Sequence, residues 1–198
     1  MTIPFNPNVV TNAAGGFNVQ SNGYVAGFAL DDPHIRNELR GGPLGPAETL
    51  PMWGGIPVMV SIPPPSPDSQ DSLGNIITRA TSNATILGWS VFNQDHSMIS
   101  STSSPAPQAA PGMMVAYYLI GSRARIVLPC DPALASLVGT PINSAVAWDF
   151  TNNMLIAGTG LGVEILSFNI GNSMVPVYNA TTGALTWNRA GSVAVVKI

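Results

Sequence analysis

From residue 55 onward, apolar and polar residues alternate with a period of two over short stretches, the spacing of half-buried strands. In Arg123-Ala124-Arg125-Ile126-Val127-Leu128 the two arginines fall on one face, and Ala124, Ile126 and Leu128 fall on the other. In Val115-Ala116-Tyr117-Tyr118-Leu119, the set Val115, Tyr117 and Leu119 alternates with Ala116 and Tyr118, which predicts a strand covered on both faces. Strands are predicted over 56–62, 75–81, 84–93, 113–121, 123–129, 144–150, 154–157, 161–168, 174–178, 184–188 and 192–198. Pro57 restricts the first of these to an edge or a strand start, because proline gives no N–H to a ladder. Asn152-Asn153, between two apolar runs, predicts a tight hairpin turn, since asparagine tolerates positive φ. Short strands at intervals of about eight to twelve residues, punctuated by Gly, Pro and Asn, predict an all-β fold, a jelly-roll-like sandwich or barrel.

The remaining stretches read differently. Residues 1–23 are rich in Asn, Gly, Pro and Thr, with isolated apolar positions at Ile3, Phe5, Val9, Val10 and Phe17; they read as an extended arm or a frayed terminus. Residues 24–198 read as one β domain. A short helix is predicted over 31–40, with an Asp cap, Pro33 in the first position and Gly41-Gly42 as the stop. A second is predicted over 131–137, again opened by Asp-Pro. Long loops are expected at 41–55, where Pro and Gly dominate and Trp53 serves as anchor, at the polyproline-like 63–74, and at the low-complexity 100–112.

Charge changes the picture more than any motif. Ten acids and seven bases amount to 9 % of 198 residues, where an average globular sequence has about 25 %. Over a surface on the order of 9,000 Å² for this mass, that is too sparse for the charged coat of a solitary soluble protein. A net charge of -3 with scattered arginines gives no basic face for nucleic acid or an acidic membrane. No apolar run approaches the roughly 20 residues of a membrane span. Residues 1–6 have neither a cationic start nor an apolar stretch, so the product is expected to stay in the cytoplasm where it is made. Cys130, the one cysteine, excludes an internal disulfide and is read as a small core residue.

Candidate chemistry is thin. His34 and His96 lie far apart, each near an acid, Asp32 and Asp95; serines follow His96, but no Gly-x-Ser-x-Gly pattern supports a nucleophile. Asp31-Asp32 and Asp68 with Asp71 read as a helix cap and a solvated loop. Glu164, flanked by Val163 and Ile165, either pairs with an arginine or faces solvent. Gly158-Thr159-Gly160-Leu161-Gly162 has strand-like residues after it where a phosphate loop needs a helix, so it reads as a flexible hairpin connection. Asn83-Ala84-Thr85 and Asn179-Ala180-Thr181 match the glycosylation pattern without a secretion signal. Trp53, Trp89, Trp148 and Trp187 are either core or, if exposed, a sugar-binding face. No catalytic residue, cofactor or metal site is predicted.

The succession Gly41-Gly42-Pro43-Leu44, Pro51-Met52-Trp53-Gly54-Gly55, Arg79-Ala80-Thr81, Gly88-Trp89-Ser90-Val91-Phe92-Asn93-Gln94, Gly121 to Ile126, Val146-Ala147-Trp148-Asp149-Phe150 and a closing Trp187 resembles the capsid decoration, or cement, proteins of tailed bacteriophages. The resemblance extends over about residues 24–198 and implies no catalytic residues. It implies a β-rich jelly roll or barrel on the outer surface of the virion capsid, bridging neighbouring copies of the major capsid protein. Sparse charge fits a surface covered by neighbours, and Pro- and Gly-rich arms lie across a partner at low ordering cost. On this reading the contacts are expected from Ile3, Phe5, Val9, Val10 and Phe17 of the arm and from Leu44, Met52 and Trp53 of the Pro43–Gly55 loop. A homo-oligomer is expected, with a dimer and a trimer equally compatible. The alternative is a tail, fibre or receptor-binding module recognising a host surface glycan through exposed aromatics.

Overall fold

A computed structural model of the chain describes residues 23–30, 35–62, 75–92, 98 and 100–198. The strands among the described residues are, in chain order, β1 Arg40–Pro43, β2 Pro57–Ser61, β3 Ile76–Arg79, β4 Gly88–Ser90, β5 Met114–Leu119, β6 Arg125–Pro129, β7 Val146–Asp149, β8 Met154–Ala157, β9 Glu164–Asn179 and β10 Ala184–Lys197. They form a five-stranded sheet ordered β1-β5-β4-β2-β3, a three-stranded sheet ordered β6-β10-β9, and the β7-β8 hairpin, with every neighbouring pair antiparallel. The all-β class read from the periodicity is the class observed. Helix among the described residues is confined to the 3-10 turns Arg36–Glu38, Asn83–Thr85 and Pro132–Leu137.

The five-stranded sheet curls until its two edges meet. Leu44, just past β1, bridges Ile77 of β3 in parallel, and the Gly45 N–H donates to Ile77 O at 2.8 Å. The two faces of β5 explain its alternation. Val115 and Tyr117 point into a core with Val58, Ile77, Leu44, Met52 and Leu185, and Leu119 packs at its margin. Ala116 and Tyr118 point the other way, against Ile126, Leu128, Trp148, Leu155 and Val196. The buried tryptophans Trp89 and Trp148 meet edge to face at 6.4 Å in that second core, a geometry worth about 0.5–1.5 kcal/mol beyond the area buried.

Segment 24–30 closes the three-stranded sheet. The Ala26 N–H donates to Met174 O of β9 at 2.9 Å, and the Gly27 N–H donates to Val127 O of β6 at 2.7 Å. Beneath it lies a third cluster, Ala26, Val127, Val193 and Val195. Gly27, at φ 87, passes so close to Gly54 that a Cβ on it would stand 2.4 Å from the Gly54 carbonyl carbon. No side chain fits there, and the chain crosses backbone on backbone.

Several expectations are corrected. The predicted 41–55 loop begins with β1, whose ladder among the described residues is with β5, and which tolerates Pro43 as an edge strand does. That pairing takes the chain at Arg40, so the predicted helix over 31–40 is reduced among described residues to a turn at Arg36–Glu38; Asp31 to His34 lie outside the described residues. The helix predicted over 131–137 is a 3-10 turn, capped by Asp131 Oδ1 accepting from the Ala133 N–H at 2.8 Å. Of the described residues within 84–93, Gly88–Ser90 are strand. The pairs 161–168 with 174–178 and 184–188 with 192–198 fuse into β9 and β10. Register shifts around Gly191 absorb what reads locally as a break. The loop at 63–74 lies outside the described residues.

The β9–β10 hairpin joins the cores. Its proximal half contributes Ile165, Ala194 and Val196 to the Trp89 core, and its distal half carries Leu185 into the Leu44 core, with Tyr178 and Trp187 packed beside it. Leu185 is fixed there by its own N–H, donated to Ser104 Oγ at 3.1 Å, and by its carbonyl, which accepts from Ala106.

Candidate functional site

A concavity forms where three separated elements converge: the ends of β2 and β3, the β7–β8 turn, and the distal half of the β9–β10 hairpin. It is an open cleft of about 910 Å³. Trp53 lies against it, held by Ser90: the buried Ser90 Oγ donates to Trp53 O at 2.5 Å and accepts from the Ile56 N–H at 3.0 Å. This ties the loop before β2 to β4 and leaves Trp53 3 % exposed.

Arg79, the last residue of β3, lays its guanidinium over Trp53, 4.4 Å from the ring centroid. Tyr178 of β9 stacks on the same tryptophan at 5.6 Å and 22°. Cation–π contacts contribute about 0.5–2 kcal/mol, more as the cation is desolvated. The guanidinium donates to Pro51 O and, at 3.5 Å, to Asn153 Oδ1 in the β7–β8 turn, while its buried Nε has no partner. Glu48 accepts from the Arg79 backbone N–H at 3.0 Å. Burial pulls the Arg79 pKa down to about 10, against the opposing influence of Glu48 and Tyr178.

The turn that carries Asn153 is built as the sequence predicts. Asn153 sits at φ 53, and Asp149 Oδ1 accepts from the Thr151 N–H at 2.8 Å and the Asn152 N–H at 3.1 Å. The Asn152 amide donates to Asp149 Oδ2 at 2.6 Å.

The predicted contact residues fare unevenly. Leu44 and Met52 are fully buried and Trp53 nearly so, so these three hold the loop over the sheet and present no surface to a partner. An apolar side chain in a Pro- and Gly-rich loop reads as an exposed anchor, but this loop folds inward over one face of the five-stranded sheet. Ile3, Phe5, Val9, Val10 and Phe17 lie outside the described residues, as do His34 and His96. Glu164 pairs with Lys197, Nζ to Oε2 at 2.8 Å, where an arginine was one alternative. Gly158 to Gly162 link β8 to β9 in another sheet, with no helix after them; the hairpin connection expected there is not formed. Asn83 of the first glycosylation-like triplet accepts the Trp148 N–H at 3.0 Å. Cys130 is buried, and burial with nearby Asp131 pushes its thiol up to about 12. Among the described residues no group of three metal-ligating side chains comes together. Trp89 and Trp148 are interior, which leaves Trp187, half-buried, as the tryptophan nearest to serving a surface ligand.

None of Arg79, Tyr178 and Glu48 is given a site role by the sequence; Arg79 is named there only within the Arg79-Ala80-Thr81 stretch of the resemblance. The available signal was one arginine within an otherwise uncharged strand candidate over 75–81. Comparison with protein-family models, curated proteins and solved structures returns no match. No helix among the described residues is long and apolar enough to cross a membrane.

Proposed function

We propose that this chain is a virion structural protein, a capsid decoration or cement protein that binds the outside of a phage head and bridges neighbouring major capsid subunits. The observation that carries the reading is exposed apolar surface in a charge-poor chain. Val138 is 72 % exposed and Ile142 52 %, and the Ile165 N–H donates to Ile142 O at 2.6 Å, which brings the Ile142 backbone to β9 one residue before the exposed Leu166. Such side chains cost solubility in isolation and gain about 25 cal/mol per Å² when covered. With Leu44, Met52 and Trp53 interior, this face replaces the Pro43–Gly55 loop as the contact surface of the described domain.

The test is copy number in purified particles, followed by Ile142→Asp with Leu166→Asp. Shell-like stoichiometry and loss of head binding at an unchanged melting temperature are expected. A few copies per particle, or full occupancy by the double variant, overturns the proposal.

A further inference from the structure

We propose that the cleft between Arg79, Tyr178 and the β7–β8 turn binds an acidic sugar unit, its carboxylate engaging the Arg79 guanidinium and its hydroxyls the asparagine amides of the rim. The inference does not rest on the capsid reading. At about 910 Å³ the cleft lies in the range of small-ligand sites. The walls supply apolar faces from Phe150 and Tyr178.

The charge pattern selects the ligand class. Arg79 and Glu48 are the charged lining residues, and the Glu48 carboxylate is spent on the Arg79 backbone N–H. The guanidinium hydrogen-bonds and stacks with neutral groups alone, a carbonyl, an indole face, and an amide oxygen at the 3.5 Å limit; its Nε is buried without a partner, and Glu48 acts on it through space. A cation withdrawn from water without a hydrogen-bonded carboxylate is a site for one, because charge-assisted guanidinium–carboxylate pairs are the strong hydrogen bonds of proteins. A single guanidinium, with the Glu48 carboxylate near it but hydrogen-bonded to the backbone N–H instead, suits a monoanion on a neutral body and not a phosphate dianion.

The rim selects the body. Asn188 spends Oδ1 on the Ala190 N–H at 3.0 Å, which leaves its Nδ2 as a donor. Asn152 spends Nδ2 on Asp149, which leaves its Oδ1 as an acceptor. A donor and an acceptor amide lining the same cleft as the cation match the hydroxyls of a sugar ring and have nothing to offer an alkyl chain.

Saturation-transfer NMR and calorimetry on the full chain use methyl glucuronide as probe, with methyl glucoside, acetate and inorganic phosphate as comparators. Methyl glucuronide is expected to bind in the millimolar range, at least about tenfold tighter than each comparator. Asn188→Asp retains the Oδ1 bond to Ala190, places a negative charge on the exposed rim, and is expected to lower glucuronide affinity about tenfold. Arg79→Gln, checked for folding by its melt, is expected to abolish it. No glucuronide binding overturns the proposal, as does equal binding of methyl glucoside, acetate or phosphate. If Arg79→Gln does not fold, unchanged affinity in Asn188→Asp overturns it alone.

Discussion

Replacing Ser90 by alanine removes one hydroxyl and strands two buried backbone groups. Ser90 is fully buried on β4, its Oγ accepts from the Ile56 N–H at 3.0 Å, and it donates to Trp53 O at 2.5 Å with Ile56 O beside it at 3.1 Å. Each orphaned buried group costs about 1–3 kcal/mol. Carbonyls tolerate the loss better than N–H groups, so the sum falls at about 2–4 kcal/mol. The vacancy left by a single oxygen is too small to admit a water that would repair either bond. For a chain of this length that loss lowers the melting temperature by about 5–15 °C, a large share of an ordinary folding stability. Calorimetry or a circular-dichroism melt reads it directly. Ser103→Ala is the control, because its exposed hydroxyl meets only Ser101 Oγ at 3.1 Å and its removal is expected to cost less than about 0.5 kcal/mol. If Ser90→Ala melts within about 1 °C of Ser103→Ala, the hydroxyl does not pin Trp53 and the account of how the cleft wall is held is wrong.

Cys130, with its thiol raised to about 12 by burial and then by Asp131, is expected to resist alkylation at pH 8 in the folded chain and to react fully in urea; fast labelling of folded protein refutes this. Asp149 is held below the usual carboxylate range chiefly by the Asn152 side-chain amide, against burial, with help from the Asn152 and Thr151 backbone N–H groups. Its folded pKa is depressed, so its stabilisation is present above the unfolded carboxylate value and lost as pH falls through the folded one. Asp149→Asn should therefore lower the urea midpoint at pH 6 and barely change it at pH 2, and equal shifts at both pH values would contradict the assignment. The Glu164–Lys197 pair is partly exposed at both ends, so Glu164→Gln should cost no more than about 1 kcal/mol and less in high salt. A salt-independent loss measured by denaturant titration would show that it does more than pair.

The period-two stretches were legible because a strand's two faces are written in adjacent residues. Ala124, Ile126 and Leu128 enter the Trp89 core and Val127 enters the third cluster, as alternation requires. The long hairpin was not legible for a local reason. Gly191 reads as an end of strand, yet it is a position in β10 where a Cβ would stand 2.4 Å from a Val175 methyl, so the glycine is what lets the ladder continue. β1 was hidden by the same rule applied too strictly, since Pro43 is excluded from a central strand but not from the edge it occupies. Leu44, Met52 and Trp53 were legible as important and misread as outward, because composition distinguishes an apolar loop from a polar one but not its inner from its outer side.

The cleft could not be read at all from spacing, since Glu48, Arg79, Asn153 and Tyr178 come from a loop, a strand end, a hairpin turn and the distal half of a second hairpin. Charge scarcity does bear on it. In a chain with six arginines and one lysine, a guanidinium drawn against an indole with only neutral hydrogen-bond partners is an expensive placement. Packing alone does not account for it, because a leucine or methionine would cover Trp53 without the desolvation cost. The Pro51 carbonyl and Asn153 each accept a hydrogen bond that such a residue would leave unmade, but neither neutralises the charge. Glu48 acts on that charge through space, and a ligand carboxylate would meet it by hydrogen bond.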